Sequence, residues 1–230
     1  MYSAKGIILK RDDFRERDER VVLYTKEFGR ISIVAKGTRR IEAKLRGNLD
    51  IFNFVDIIFV EGAHFFILTG AETRERFGSL TKNPYIYTAA LSSANTVLNI
   101  FWEHLPASQA GAKDNEFFDY FYSTLNRLDE YGRHKSKLET SLYAWLILKK
   151  FQMDILENQG HLTREPSWHS KPELSKNAAL LLEMLRGERH RSARLSKQEF
   201  TNIEDVFGNM FAHFFNYKIF SWIPIIQNTK

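Results

Sequence analysis

At 230 residues, with 43% hydrophobic and 14% aromatic side chains including 19 Phe, the chain has the composition of a globular protein that needs no covalent staples. It has no cysteine, which excludes disulfides, thiol catalysis and every zinc site built on thiolates, and a cytoplasmic home fits best. A formal net charge of +5 favours polyanionic partners, so the placement of that charge decides its meaning.

The first 80 residues read as strands. Lys5 to Lys10 is a short apolar run, and Arg20 to Lys26 is rich in β-branched and aromatic residues. A turn at Glu27-Phe28-Gly29 leads into Arg30 to Ala35, where Ile31, Ile33 and Ala35 alternate with Arg30, Ser32 and Val34, the spacing of a hairpin. Strands follow at Phe52 to Val60 and His64 to Ala71, joined through Glu61-Gly62-Ala63. With no helix of comparable length between them, these strands predict a small closed barrel or sandwich whose longest interruption is Gly37 to Asp50.

Beyond about residue 80 the period becomes helical. Pro84 starts a helix reaching about His104, with Thr81 or Asn83 as its cap. That helix opens a charge-free stretch, Pro84 to Trp102, but Thr88, Ser92, Ser93, Asn95, Thr96 and Asn99 favour a buried helix over a membrane span. A second helix opens at Asp114 and ends near Gly132, with Phe117, Phe118, Phe121, Leu125 and Leu128 on one face. A third carries Leu138, Leu142, Trp145, Leu146, Lys149 and Met153. The polar stretch from Glu157 to Glu173, holding Gly160, Pro166 and Pro172, is a loop or excursion. A fourth helix covers Ser175 to Arg186 and a fifth Ser196 to Phe220. The aromatic stripe of the fifth (Phe207, Phe211, Phe214, Phe215, Tyr217, Phe220, Trp222) reads as core in preference to a peptide groove. The domains are therefore expected at 1–80, a β-barrel, and 81–230, all-helical with the excursion at 157–173, an α+β multidomain chain whose boundary lies between Phe77 and Asn83. No repeat is apparent, and the densely charged Met1 to Arg20 has no apolar core of a targeting segment.

Motifs for nucleophilic, phosphate-cradling or metallohydrolase chemistry are missing, so neither an enzyme nor a cofactor is expected. His161 and His169 fit solvated loop positions better than a zinc site, and Asp12 and Asp13 sit among Arg11, Arg15, Glu16 and Arg17 as a charged turn. One basic segment stands out. Arg30, Lys36, Arg39, Arg40, Lys44 and Arg46, against Glu42 alone, give six minus one, the whole net charge of the chain, within 17 residues. Cations concentrated in a loop beside a barrel strand can track a phosphate backbone. A phosphate-binding, and so DNA-binding, role is expected for Lys36, Arg39, Arg40, Lys44 and Arg46, with a solvated charge run as the alternative. A second cluster, Arg186, Arg189, Arg191, Arg194 and Lys197, would either extend that path, receive an acidic partner, or favour a helix dipole; Arg133, His134, Lys135 and Lys137 make a weaker third. Single-strand binding also wants aromatic platforms, for which Phe14, Tyr24, Phe52, Phe54, Phe65 and Phe66 are available, each with core packing as its default.

Laid out in order, these residues resemble RecO, the family of bacterial recombination mediators. Lys5-Gly6-Ile7-Ile8-Leu9-Lys10 is followed by Asp13, Asp18 and Val22; then Thr25, Glu27-Phe28-Gly29, Ala35-Lys36-Gly37, Arg39-Arg40, Leu45, Gly47, Leu49 and Phe52 match without a gap. A fainter likeness returns around Tyr217, Lys218 and Ser221. The resemblance implies an OB-fold barrel and a helical C-terminal domain. It implies binding of single- and double-stranded DNA, strand annealing, and help in loading the recombinase onto strands coated with single-strand-binding protein. RecR and the acidic tail of single-strand-binding protein are the partners it implies, and a cytoplasmic, nucleoid-associated location in bacteria follows. The family's four-cysteine zinc site has no counterpart here; Ala43 replaces a usual Ser, and Arg46 a usual small residue. A rival reading is a protein-interaction scaffold with an OB-like barrel and little direct nucleic-acid binding. A nuclease would need a metal-binding carboxylate cluster that is not evident.

Overall fold

β-branched residues alternating along the first third of the chain bury one face of each strand, and a closed barrel removes the edges that such strands would otherwise expose. The computed structural model describes residues 1–38, 46–101, 115–133, 137–162 and 196–219, with helical residues also at 176, 179, 181, 182 and 185. Five strands, β1 (Tyr2–Asp13), β2 (Glu19–Thr25), β3 (Gly29–Ala35), β4 (Phe54–Glu61) and β5 (Phe66–Glu75), close in the order β1-β2-β3-β5-β4. β4 pairs back onto β1 from Tyr2↔Phe59 to Ile7↔Phe54, and β3 meets β5 in parallel, Ile33↔Phe66 and Val34↔Ile67. This is a five-stranded OB-like barrel. Its interior is filled by Ile8, Val21, Ile31, Ile33, Val55, Ile57 and Phe59, all essentially inaccessible to solvent.

The strands fall where the pattern predicts, with instructive differences at their ends. β1 is 12 residues long instead of the six of its apolar run, because its polar ends pair with β4 on one side and, through Asp13↔Glu19, with β2 on the other. β4 starts at Phe54 and not Phe52, since Phe52 takes a left-handed backbone (φ 70°), its N–H held by the Ile8 carbonyl at 2.8 Å.

By contacts, residues 1–78 with 97–126 make one unit and 79–96 with 127–230 the other. In the first, Tyr24 is 2% exposed, stacked with Phe118 (6.2 Å, 19°) and edge-on to Phe121, and Phe54 packs on Phe118 and Tyr122. Arg30 Nη1 donates to the Leu98 carbonyl, so this cation of the basic segment is engaged within the unit.

The helices are α1 (Pro84–Ile100), α2 (Asn115–Gly132), α3 (Lys137–Asn158) and α4 (Lys197–Phe215). Asn83 is the cap that starts α1: its Oδ1 accepts from the N–H groups of Tyr85 and Ile86. The charge-free helix can be buried because its hydroxyls bond the carbonyls four residues back, Ser93 to Ala89 and Thr96 to Ser92 among them. Among the described residues no helix is long and apolar enough to cross a membrane. In the second unit, Lys149 and Glu204 are buried together, with Nζ 2.7 Å from Oε1, and Trp145 Nε1 donates to the same oxygen at 2.6 Å. α4 starts at a capping box between Ser196 and Glu199 and ends at Phe215, five residues short of the expected Phe220, because Asn216 turns left-handed (φ 51°). Of its aromatic side, Phe207 and Phe211 are core, while Phe214 is 40% exposed and stacks on His161 at 4.1 Å. His161 is thus packed on an aromatic face rather than freely solvated; His169 lies outside the described residues.

Candidate nucleic-acid interface

The basic segment leaves the barrel at the end of β3, and both of its roots are built from buried or hydrogen-bonded residues. At the upstream root, Gly37 has a left-handed backbone (φ 68°) that a side chain would strain, and its N–H donates to the Asp18 carboxylate at 2.9 Å. Thr38 is 1% exposed, with its hydroxyl on the Ala35 carbonyl. At the downstream root a short 3-10 helix, Arg46–Asn48, is followed by Leu49 (0% exposed) and Phe52 (3%). Asn53 Nδ2 donates to the Asn48 carbonyl at 3.2 Å, while Asn48 Nδ2 donates to Ala71 O and its Oδ1 accepts from Thr73, both at 2.9 Å. The barrel thereby anchors a cationic loop at both ends.

Of the five expected DNA-binding cations, Lys36 is exposed in the turn after β3, and Arg46 opens the 3-10 helix. Arg39, Arg40 and Lys44 lie outside the described residues, as do Arg186, Arg189, Arg191 and Arg194 of the second cluster; Lys197 is exposed at the start of α4.

The tie between Gly37 and Asp18 places the β1–β2 loop (14–18) beside that upstream root. The loop is closed by Phe14 and Asp18, whose backbone N–H and carbonyl pair at 3.1 Å. From it Phe14 meets Phe65 of the β4–β5 loop edge-to-face, with ring centroids 5.2 Å apart at 78°. Gly62 makes the second loop tight. Its N–H bonds the Phe65 carbonyl at 3.0 Å, and a Cβ there would lie 2.7 Å from that oxygen. The Arg15 guanidinium lies over both rings, at 5.3 Å from Phe14 and 5.6 Å from Phe65, and that of Arg20 over Phe14 at 4.9 Å. Phe14 and Phe65 are half-buried, whereas Arg15, Arg17 and Arg20 are exposed. Two neighbouring acids are engaged, Asp18 with the Gly37 N–H and Glu19 with Arg11 at 2.8 Å.

Of the six aromatics available to the barrel, Tyr24, Phe52 and Phe66 are buried and Phe54 packs on Phe118 and Tyr122. Phe14 and Phe65 remain accessible beside cations. Sequence reading names both rings but not the cations over them: it takes Arg15 for part of a solvated acid and base mixture and Arg20 for the start of a strand. The missing signal is spatial, since the two loops are about 50 residues apart and only barrel closure brings them together.

An open cleft of about 570 Å³ elsewhere in the same unit is lined by Lys5, Lys26, Phe54, Arg74, Phe118 and Tyr122 together with Glu27 and Asp119. Two of its three cations are paired, Lys26 with Asp119 at 3.1 Å and Arg74 with Asp56 at 2.5 Å. Tyr122, donating to Glu75 at 2.7 Å, is pushed above the ordinary phenol range by that bond. The cleft is charge-balanced and offers a phosphate backbone no net attraction. Among the described residues, no group of three or more His, Asp or Glu side chains is placed to hold a metal ion. Lys10 and Asp12 are an ion pair at 2.7 Å.

Residues 1–77 match the family model described as Recombination protein O N terminal. The chain is 25% identical over 166 residues to the DNA repair protein RecO of Alkaliphilus metalliredigens, covering 71% of this chain and 61% of that one. It is 34% identical over 99 residues to the DNA repair protein RecO of Gloeothece citriformis, covering 43% and 35%. To that of Rubrobacter xylanophilus it is 27% identical over 130 residues, covering 56% and 49%. The chain thus matches between 35% and 61% of the length of these relatives. The likeness to the RecO family is thus concentrated in the N-terminal OB-like barrel, where the family model and these relatives coincide.

Proposed function

We propose that the chain is a non-enzymatic, cytoplasmic DNA-binding mediator of recombinational repair, in which Lys36, Arg39, Arg40, Lys44 and Arg46 hold the phosphates of single- and double-stranded DNA. The observation that carries the reading is the placement of charge. A 17-residue segment holding the chain's whole net +5 is rooted at both ends in a closed OB-like barrel. Fixed roots lower the ordering cost of the loop on binding, and released counterions supply the affinity. The relatives named DNA repair protein RecO support the same role. We assign DNA binding to residues 1–80. The helical residues 81–230, with Arg186, Arg189, Arg191, Arg194 and Lys197, supply further surface for DNA, for RecR, or for the acidic tail of single-strand-binding protein. Annealing of complementary strands and help in loading the recombinase belong to this reading.

Binding of a labelled oligonucleotide near physiological salt, followed by annealing of two complementary strands, tests it. Binding and accelerated annealing are expected; a protein-interaction scaffold would leave both at background. Cleavage of DNA in the presence of Mg²⁺ would contradict the non-enzymatic role.

A further inference from the structure

We infer that Phe14 and Phe65, flanked by Arg15 and Arg20, form a stacking site for an unpaired base, so that the β1–β2 and β4–β5 loops favour single-stranded over duplex nucleic acid. This rests on the DNA-binding reading above but concerns different residues. Two aromatic rings meeting edge-to-face across a gap of about 50 residues could simply clip the loops together. A clip, however, is best buried, and these rings are half-exposed while Tyr24, Phe52, Phe59 and Phe66 of the same barrel are not. A clip also has no use for cations. Here Arg15 spans both rings and Arg20 lies on Phe14, and among the described residues neither guanidinium is held by a carboxylate.

A planar, weakly hydrated guanidinium over a ring can stay as a lid on an inserted base or swing to the adjoining phosphate, which suits both parts of a nucleotide. Base stacking is indifferent to sequence, because every base has a π-face. In a duplex those faces are already covered. The arrangement therefore adds strand selectivity to an electrostatic site that has none of its own, and the Gly37–Asp18 bond sets it at the root of the cationic loop.

The test compares the full chain with Phe14→Leu, Phe65→Leu and the double variant, using a labelled oligothymidine and a blunt duplex of equal length. Removing stacking should weaken single-strand binding by about tenfold in the double variant. Duplex affinity and the slope of log affinity against log salt should not move. Equal losses on both substrates, or no loss on either, would overturn the proposal. Photo-crosslinking of the unaltered protein to 5-iodouracil in the oligonucleotide does not depend on how the variants fold. Adducts should map to Phe14 or Phe65, and adducts found only elsewhere would refute the stacking site. A parallel variant with the five loop cations changed to Ala separates this outcome from failure of the underlying reading. If that variant keeps the salt slope of the unaltered protein, the loop assignment fails, whatever the Phe variants show.

Discussion

Gly37 donates its backbone N–H to the carboxylate of Asp18 at 2.9 Å, and this single bond ties the first turn of the basic loop to the β1–β2 loop. Asp18 is half-buried, and its acceptor serves a glycine whose left-handed backbone is already set for the turn. Asp18→Asn and Asp18→Ala remove the same charge, but only Asn keeps an acceptor. The Ala variant should bind DNA more weakly than the Asn variant, by the worth of one hydrogen bond, about 0.5–1.5 kcal/mol. Equal binding by the two variants would show that the bond does not order the loop.

Gly62→Ala would place a methyl group 2.7 Å from the Phe65 carbonyl and 2.9 Å from Ile67 Cδ1, so the β4–β5 loop must shift. A loss of roughly 1–3 kcal/mol in unfolding free energy is expected, as for other overpacked sites. Chemical denaturation measures it, and single-strand binding should suffer more than duplex binding.

Lys149 is fully buried against Glu204, Gln152 and the ring of Phe207, and burial pushes its ammonium below the ordinary lysine value of 10.5 in spite of the nearby carboxylate. Lys149→Met leaves Glu204 buried without its cation, and should cost about 3–5 kcal/mol. Changing Glu204 to Gln as well should recover part of that loss. The sign with pH follows from proton uptake. Below 10.5 the unfolded lysine keeps a proton that the folded one releases earlier, so this residue's contribution to stability rises as pH climbs toward 10.5. Urea unfolding at stepped alkaline pH should show the unaltered protein gaining on Lys149→Met; a constant difference would refute the direction.

Asp129, 1% exposed, accepts the Ser79 N–H at 2.6 Å and pairs with Arg133 at 2.7 Å, joining the start of a 3-10 helix (Leu80–Lys82) to α2 within the helical unit. Asp129→Ala orphans a buried backbone donor and should destabilise the chain by roughly 1–3 kcal/mol. Arg133→Ala, which removes a side chain that is 63% exposed, should change stability by under about 1 kcal/mol. Thermal unfolding of the two variants compares them.

Much of the fold is legible in the sequence because its signals are local. Alternation around Ile31 and Ile33 gives a strand, and Pro84 behind Asn83 gives a helix start. Strand ends are less legible where pairing partners set them, as at the two polar ends of β1, and where one residue leaves the regular backbone, as Phe52 and Asn216 do. The cationic loop is legible as a count of charges. The aromatic platform beside it is not, because no pattern within residues 14–20 or 62–65 says that Phe14 and Phe65 will touch. The roles of Asp129 and Glu204 are invisible for the same reason, since Ser79 and Trp145, which they accept from, are 50 and 59 residues away.

DNA binding by the barrel depends above all on whether Lys36, Arg39, Arg40, Lys44 and Arg46 hold phosphates. The most direct measurement is the affinity for a single-stranded oligonucleotide across a salt series, for the unaltered protein and for a variant with all five changed to Ala. Five phosphate contacts predict a log–log slope of about −3.5, at about −0.7 for each, and the variant should flatten it toward zero. A slope that survives the five substitutions unchanged would contradict the assignment of DNA binding to this loop.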